Sequence, residues 1–154
     1  SSFYLTDVLN TSEAQWDDLL NSNLKAPFFL SSLLADTLAK KRGCIINIAD
    51  IHAERGLKNY AVYSISKAGL VMMTKVLAKE FGASIRVNAV ALGAILWHEQ
   101  GMAESEQQTI LQRIILERLG DLNDVTKAIS FLIQDADYMT GQVLTVDGGR
   151  TLFC

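Results

Sequence analysis

The stretch that decides the fold is CIINIA at residues 44–49, followed by a helical pattern over residues 60–81 and by IRVNAVAL at residues 85–92. Both apolar runs are short, nearly continuous and rich in β-branched residues, which is typical of strands buried on both faces. The segment between them has apolar residues at helical intervals and ends at Gly82. A strand, a long helix and a second strand in this order predict a parallel β-α-β unit.

The sequence before this unit is rich in helix signals from about residue 12 to residue 41. Thr11 or Ser12 can cap the first helix. Pro27 is expected to interrupt the helical run, so we predict two helices that meet near Asn23. The stretch therefore adds a helical layer ahead of the first strand.

The sequence after the unit continues the alternation of helix and strand. Residues 93–117 are polar with one amphipathic stretch near 110–119, Asp121 or Asn123 can start a helix, and residues 142–146 predict a third strand. This order predicts the second half of an α/β, Rossmann-like, doubly wound parallel sheet. No GxGxxG pyrophosphate loop occurs in the sequence.

The chain is expected to be a single incomplete domain over residues 1–154. We expect roughly a hundred further residues upstream, which is the size of the missing β-α-β units. Half a sheet would leave strand edges and apolar helix faces uncovered, so residues 1–154 alone are expected neither to fold stably nor to bind a cofactor.

Composition excludes several other classes of function. The 154 residues are 49% hydrophobic and 20% charged with a net charge of −3, which is typical of a globular protein and argues against nucleic-acid or anionic-membrane partners. No apolar run of membrane-spanning length and no signal peptide is visible, so a cytoplasmic location is expected. The two Cys and two His residues lack the spacing of metal ligands, and no metal site is expected.

Tyr63 and Lys67 are the residues that point most directly to chemistry. They stand four apart in the predicted helix, and residues at that spacing lie on the same helix face. A free phenol has a pKa near ~10, but a nearby cation lowers that pKa and makes the phenol a usable acid or base. Ligands bind at the carboxyl ends of strands in such sheets, so the pair predicts an acid–base site there. A surface lysine on an amphipathic helix is the plain alternative.

Four stretches of the chain resemble the short-chain dehydrogenase/reductase family: GCIINIAD at 43–50, YSISKAGL at 63–70, IRVNAVALG at 85–93 and YMTGQVLTVDGG at 138–149. The resemblance implies that Tyr63 is the acid–base group and that Lys67 holds the nicotinamide ribose and acidifies Tyr63. It also implies that Asn23 is a structural and proton-relay residue.

Asp50 stands where this family usually has Ser, and it narrows the resemblance to pteridine reductases. A Ser hydroxyl can donate a hydrogen bond to a substrate carbonyl, whereas a carboxylate cannot donate and repels a neighbouring phenolate. A protonated Asp50 could instead relay a proton to a ring nitrogen together with Tyr63. The alternative is a plain turn or helix cap, since Asp is common in turns.

The opening SSFYLT, residues 1–6, resembles the pteridine reductase segment that contacts cofactor and pterin. The resemblance places Ser1 against both and Phe3 on the pterin ring, where stacking suits a flat heterocycle. Without the resemblance, the residue type alone favours a place in the core for Phe3.

The segment after the second strand departs from the family. Leu92 and Gly93 stand where Pro-Gly is usual, and the common Thr that binds the carboxamide is missing. Backbone contacts from Gly93, Ala94 and Ile95 to the cofactor could replace it. Trp97 could line the substrate pocket, or lie in an exposed loop or partner contact.

The resemblance therefore implies an NADPH-dependent reductase of pterins, of the dihydrobiopterin, dihydromonapterin or dihydrofolate type, assembled as a homotetramer. The alternatives are another short-chain reductase, for example of 3-oxoacyl thioesters, and a catalytically silent scaffold member of the fold.

Overall fold

The computed structural model describes residues 2–95 and 103–152, except the side chain of Glu106. Within these residues the order of elements is α1 (Glu13–Leu20), a π-helical turn (Asn21–Lys25), α2 (Ala26–Lys40), β1 (Cys44–Asp50), α3 (His52–Arg55), α4 (Ala61–Phe81), β2 (Arg86–Leu92), α5 (Glu104–Leu111), α6 (Leu122–Gln134), β3 (Val143–Val146) and a 3-10 turn (Arg150–Leu152).

The strands of the described residues form one parallel sheet in the order β1-β2-β3. Asp50 of β1 pairs with Leu92 of β2, which pairs in turn with Val146 of β3. All three strands therefore end at the same edge of the sheet. The predicted α/β, Rossmann-like parallel sheet is confirmed.

Helices cover the two faces of the sheet. On one face, Leu70 and Leu77 of α4 pack with Ile85 and Val87 in a buried cluster. On the other face, Leu132 of α6 packs against β2 in a second cluster. Burying a side chain of this size stabilises the fold by about 1.5–3 kcal/mol, so these faces account for much of what holds α4 and α6 in place.

Helix α4 is long and apolar enough to meet a length-and-composition test for a membrane span. It has 21 residues and a mean hydropathy of 1.2 in its best window. More than half of that window (56%) is buried in the protein. The core helix of a soluble domain meets the same test, because it is apolar to face the sheet.

The N-terminal helical run contains the two predicted helices, α1 and α2, which meet at the turn that holds Asn23. Ser12 caps α1 in a capping box with Gln15, but the backbone stays helical through the wide turn at Asn21–Lys25. Pro27 lies in the first turn of α2. In a regular α-helix its ring would clash with the carbonyl group four residues earlier, and the wider π-helical turn avoids this clash.

The elements after β2 begin and end near their predicted bounds, with one correction. The polar segment contains a helix that the sequence did not predict, α5, which ends at Leu111, and the amphipathic stretch near 110–119 consists mostly of turns. Asp121 caps α6 through a capping box with Asp124, as one of the two predicted start sites. These turns bring the segment after α5 close to the residues that follow β3.

Candidate active site

Asp50 is the last residue of β1, and its side chain is held at the carboxyl edge of the sheet. One carboxylate oxygen, Oδ1, accepts the backbone N–H of His52 at 2.8 Å. The other, Oδ2, accepts the hydroxyl proton of Tyr63 at 2.9 Å. Asp50 therefore forms the turn that the sequence offered as the plain alternative, and it also accepts a hydrogen bond from Tyr63. Its part as a proton relay stays a prediction.

Tyr63 lies in the first turn of α4 and is 6% exposed. Burial raises the pKa of Tyr63, and the negative charge of Asp50 and the hydrogen bond to it raise that pKa further. The side chain therefore keeps its proton under ordinary conditions. This contradicts the expectation that Lys67 acidifies Tyr63, because burial and Asp50 outweigh any effect of the lysine.

Lys67 lies one helical turn after Tyr63 and is 5% exposed. Its Nζ donates a hydrogen bond of 2.9 Å to the carbonyl oxygen of Ile48 and lies 5.7 Å from the centroid of the Tyr63 ring. Burial lowers the pKa of Lys67, and the charge of Asp50 opposes that effect. The lysine is thus oriented by β1, and the ring of Tyr63 lies within cation–π range of it.

Asn23 lies in the π-helical turn and is 2% exposed. Its Nδ2 donates to Oγ of Ser66 at 3.1 Å and to the carbonyl oxygen of Ser2 at 3.0 Å. The Ser66 hydroxyl donates in turn to the carbonyl oxygen of Tyr63. Asn23 therefore reaches the backbone of Tyr63 through Ser66, and it connects three separate segments of the chain behind the site.

Phe3 lies beside Tyr63 rather than in the core. Its ring stacks on Tyr60 with centroids 4.6 Å apart and planes inclined by 13°. It also meets Tyr63 edge-on at 4.7 Å, and it is 39% exposed. The ring is close to the candidate acid, but Tyr60 already occupies one of its faces, which limits how a planar substrate could stack there.

Gly93 begins the turn after β2 and closely approaches the turn after β3. An added Cβ at Gly93 would lie 2.7 Å from Cα of Asp147, so only glycine fits without a shift of backbone. The Gly93 N–H donates to Val146 at 2.9 Å, and the Ala94 carbonyl oxygen accepts the N–H of Gly120 at 3.0 Å. Because these two backbone groups already have hydrogen-bond partners, the cofactor contacts expected from Gly93, Ala94 and Ile95 would have to come from the other backbone groups of this segment.

Ile95 lines a cavity of about 480 Å³ together with residues of the turn after β3. Ser1 and Trp97, which the sequence placed at the cofactor and the substrate, lie outside the described residues. Among the residues that the structure describes, no group of three or more His, Cys, Asp or Glu side chains could hold a metal ion.

The sequence analysis missed two residues that build this site. Ser66 stands between Tyr63 and Lys67 in the motif itself, three residues after the tyrosine, where a helix brings its hydroxyl to the Tyr63 carbonyl oxygen. Tyr60 stands three residues before Tyr63, and helical spacing could have indicated that both rings share one face.

Comparison with known proteins agrees with this arrangement. The family model described as Enoyl-(Acyl carrier protein) reductase matches residues 3–151. The match covers nearly the whole chain, and the chain belongs to the short-chain dehydrogenase/reductase family.

Individual relatives refine the comparison. The 3-oxoacyl-[acyl-carrier-protein] reductase FabG of Thermotoga maritima is 38% identical over 149 residues, covering 94% of this chain and 61% of that protein. The (2S)-[(R)-hydroxy(phenyl)methyl]succinyl-CoA dehydrogenase subunit BbsD of Thauera aromatica is 42% identical over 148 residues, covering 92% of this chain and 58% of that protein. The chain thus spans about three fifths of the length of these relatives.

A solved structure from Agrobacterium tumefaciens with bound NADP, provisionally described as a 2-deoxy-D-gluconate 3-dehydrogenase, superimposes with a TM-score of 0.91 at 35% identity. The match covers 98% of this chain and 64% of that one. These three proteins support the short-chain family and a nicotinamide cofactor in its members. They do not support the narrower resemblance to pteridine reductases.

Proposed function

We propose that the protein carrying this chain reduces the 3-oxo group of an acyl thioester with a nicotinamide cofactor. The observation that carries the proposal is the protonated Tyr63 hydroxyl, held by Asp50 at the carboxyl edge of the sheet with Lys67 one helical turn away. The names of the Thermotoga maritima and Thauera aromatica relatives, which act on acyl thioesters, support this substrate class.

The residues at this edge fit a nicotinamide nucleotide. Lys67 uses one N–H donor on Ile48, and its remaining donors can hold ribose hydroxyl groups. Gly93 follows β2 at the edge where the strands end together, which is the edge where such sheets bind nucleotides. When bound, the cofactor supplies a hydride to the substrate carbonyl carbon.

Tyr63 supplies the proton in this proposal. When the carbonyl carbon receives the hydride, the electron pair of the C=O double bond moves to the oxygen. The oxygen takes the proton of the Tyr63 hydroxyl, and Tyr63 is left as a phenolate. The raised pKa means that Tyr63 carries its proton before the reaction, which is the state that a proton donor needs.

Asp50 has a different part from that of a serine. In the structure, the Asp50 carboxylate accepts a hydrogen bond from the Tyr63 hydroxyl and so orients that hydroxyl. Its negative charge disfavours the phenolate that the reaction produces. Lys67 offsets part of this repulsion by its positive charge, although it does not hydrogen-bond the phenol.

Pterin reduction with NADPH is the second candidate, and the Asp50–Tyr63 hydrogen bond favours it. A C=N bond that receives hydride needs a proton on nitrogen, and the Tyr63 hydroxyl, which Asp50 holds by a hydrogen bond, could supply it. The Phe3 ring beside Tyr63 would lie next to such a substrate.

Homo-oligomer formation belongs to the same proposal. Helix α2 exposes a stripe of large apolar side chains, in which Phe29, Leu30 and Leu33 are each more than half exposed. Contiguous apolar surface of this kind marks association sites, and a second copy of the chain is the partner that the family resemblance implies.

The experiment that tests the proposal is oxidation of NADPH and of NADH by the intact protein, with acetoacetyl thioester and dihydrobiopterin as parallel substrates. Turnover of the thioester that falls by about a hundredfold or more in Tyr63→Phe supports thioester reduction. Tyr138→Phe is the matched control, because Tyr138 is fully exposed. Turnover of the pterin alone replaces the first candidate with the second. Cofactor binding without turnover of either substrate contradicts both and supports a silent scaffold.

A further inference from the structure

Tyr60 stands directly ahead of helix α4 and is held in place by backbone contacts. Its N–H donates to the carbonyl oxygen of Leu57 at 3.0 Å, and its own carbonyl oxygen accepts the N–H of Ser64 at 3.0 Å. Thr6 pairs with Tyr60 in an isolated parallel bridge, and the Thr6 hydroxyl accepts the N–H of Val62 at 3.2 Å. Because Thr6 is buried, the start of the helix is fastened to a buried part of the N-terminal segment.

The Phe3 ring connects Tyr60 to the proposed proton donor. The centroid of the Phe3 ring lies 4.6 Å from that of Tyr60 and 4.7 Å from that of Tyr63. The rings of Tyr60 and Tyr63 can therefore be no further apart than these two distances laid end to end. Tyr60 is thus a near neighbour of Tyr63 within one group of aromatic rings.

The hydroxyl groups of the two tyrosines around Tyr63 differ in their partners. Tyr4 and Tyr60 both pack against the buried cluster that contains Tyr63. The Tyr4 hydroxyl lies 3.0 Å from Oδ2 of Asp18, to which it donates. The Tyr60 hydroxyl has no hydrogen-bond partner in the described part of the chain, and no unpartnered side-chain oxygen there is buried. The Tyr60 oxygen is therefore accessible and able to bond a ligand.

The other polar groups beside Tyr63 are already engaged. Both carboxylate oxygens of Asp50 accept hydrogen bonds, and a carboxylate cannot donate one. The Ser66 hydroxyl donates to the carbonyl oxygen of Tyr63. Lys67 donates to a carbonyl oxygen of β1, and the proposed function assigns its remaining donors to the ribose. Among these groups, Tyr60 is the one that is left to donate to a second oxygen of the substrate.

We propose that the Tyr60 hydroxyl binds the thioester carbonyl oxygen of the substrate while Tyr63 protonates the 3-oxo group. This role rests on the proposed reductase function and deepens it, because it makes Tyr60 a residue that selects 3-oxoacyl thioesters over simple ketones. A single carbon separates the two carbonyl groups of such a substrate, so two neighbouring hydroxyl groups can engage both oxygens. A carbonyl oxygen accepts hydrogen bonds, and a phenol hydroxyl can donate one.

The test compares two substrates that differ in this carbonyl group alone. Both are derivatives of N-acetylcysteamine: the acetoacetyl thioester, and the 3-oxobutyl thioether in which a methylene group replaces the thioester carbonyl. Each is measured with the intact wild-type protein and with Tyr60→Phe, which removes the hydroxyl and keeps the ring that stacks on Phe3. Tyr4→Phe is the matched control, because it removes a hydroxyl of the same cluster that already has a partner in Asp18.

Tyr60→Phe is expected to lower kcat/KM for the acetoacetyl thioester by about threefold to tenfold, which is the range of one hydrogen bond, mainly through a higher KM. Reduction of the thioether ketone should be unchanged in this variant. Tyr4→Phe should keep the ratio of the kcat/KM values for the two substrates at its wild-type value. Equal losses for both substrates in Tyr60→Phe, or an undiminished kcat/KM for the thioester, overturn the proposal.

A binding measurement separates failure of this role from failure of the reductase function. The butyryl thioester of N-acetylcysteamine keeps the thioester carbonyl but has no 3-oxo group to reduce, and the S-butyl thioether has neither. Each is titrated by calorimetry into the intact protein with bound NADPH or NADH. Tighter binding of the thioester that is lost in Tyr60→Phe and retained in Tyr4→Phe supports the hydrogen bond even when no substrate is reduced. Equal affinity of the two ligands for wild type, or a difference that survives in Tyr60→Phe, overturns it.

Discussion

The Tyr63 hydroxyl donates its hydrogen bond to Asp50 over 2.9 Å, while Lys67 directs its ammonium to a β1 carbonyl oxygen. The protonation state of Tyr63 is therefore set more by the Asp50 carboxylate, which accepts its hydrogen bond, than by Lys67, which lies one helical turn away. Burial together with this carboxylate raises the pKa of Tyr63, whereas the Tyr–Lys spacing alone suggested that the pKa would be lowered.

Replacing Asp50 with Ser is expected to lower the pKa of Tyr63, because the substitution removes both the negative charge and the carboxylate acceptor. The measurement is the phenolate absorbance during an alkaline titration, with Tyr63→Phe subtracted to isolate this residue. Reduction of a 3-oxoacyl thioester should become faster, since the serine hydroxyl can donate to the substrate carbonyl. Pterin reduction should become slower. An unchanged titration would show that Asp50 does not control the tyrosine.

Alkaline pH is expected to destabilise the fold through Tyr63. The pKa of Tyr63 is raised above its ordinary value of 10.0, so folding favours the protonated form. This contribution to stability is complete below pH 10.0 and is lost as pH rises further. The free energy of unfolding should therefore fall more steeply above pH 10.0 for wild type than for Tyr63→Phe, which keeps Lys67. Denaturant titrations at several pH values check this, and parallel slopes would contradict it.

Asn23→Ala is expected to lower the free energy of unfolding by about 1–3 kcal/mol, because buried partners on Ser66 and Ser2 lose their donor. Thermal and denaturant unfolding measure the loss. The matched control is Asn21→Ala, two residues earlier in the same turn and exposed, which should change stability by less than about 0.5 kcal/mol. Equal effects of the two substitutions would mean that the hydrogen bonds of Asn23 do not stabilise the fold.

Gly93→Ala is expected to be more destabilising than Gly69→Ala, although an added Cβ would lie 2.7 Å from its nearest neighbour in both. At Gly93 the neighbours are backbone and Cβ atoms of Asp147, which cannot move without displacing the turn. At Gly69 the neighbour is the end of the Leu24 side chain, which can change rotamer. Overpacking typically costs about 1–3 kcal/mol, with Gly93 at the upper end. A reversed order of melting temperatures would contradict this.

The order of helices and strands was predictable because its signals are local. Apolar runs at 44–49 and 85–92 and the helical spacing of 60–81 each need only neighbouring residues to be recognised. Capping residues such as Ser12 and Asp121 mark helix starts for the same reason. The sequence predicted that the helix changes near Asn23, but it did not predict that the change is a π-helical turn, which packs against α4 in the structure.

The pairing of Tyr63 with Lys67 also followed from spacing along one helix, whereas the chemical environment of the pair did not. Asp50 meets Tyr63 only because the register of β1 and the packing of α4 bring the two side chains to the same edge. Arg150 meets Arg55 across 95 residues of sequence, and no local pattern indicates this contact. Burial and charge act through distances in space, so the raised pKa of Tyr63 and the contact of Arg55 with the Arg150 carbonyl oxygen were decided by the tertiary structure.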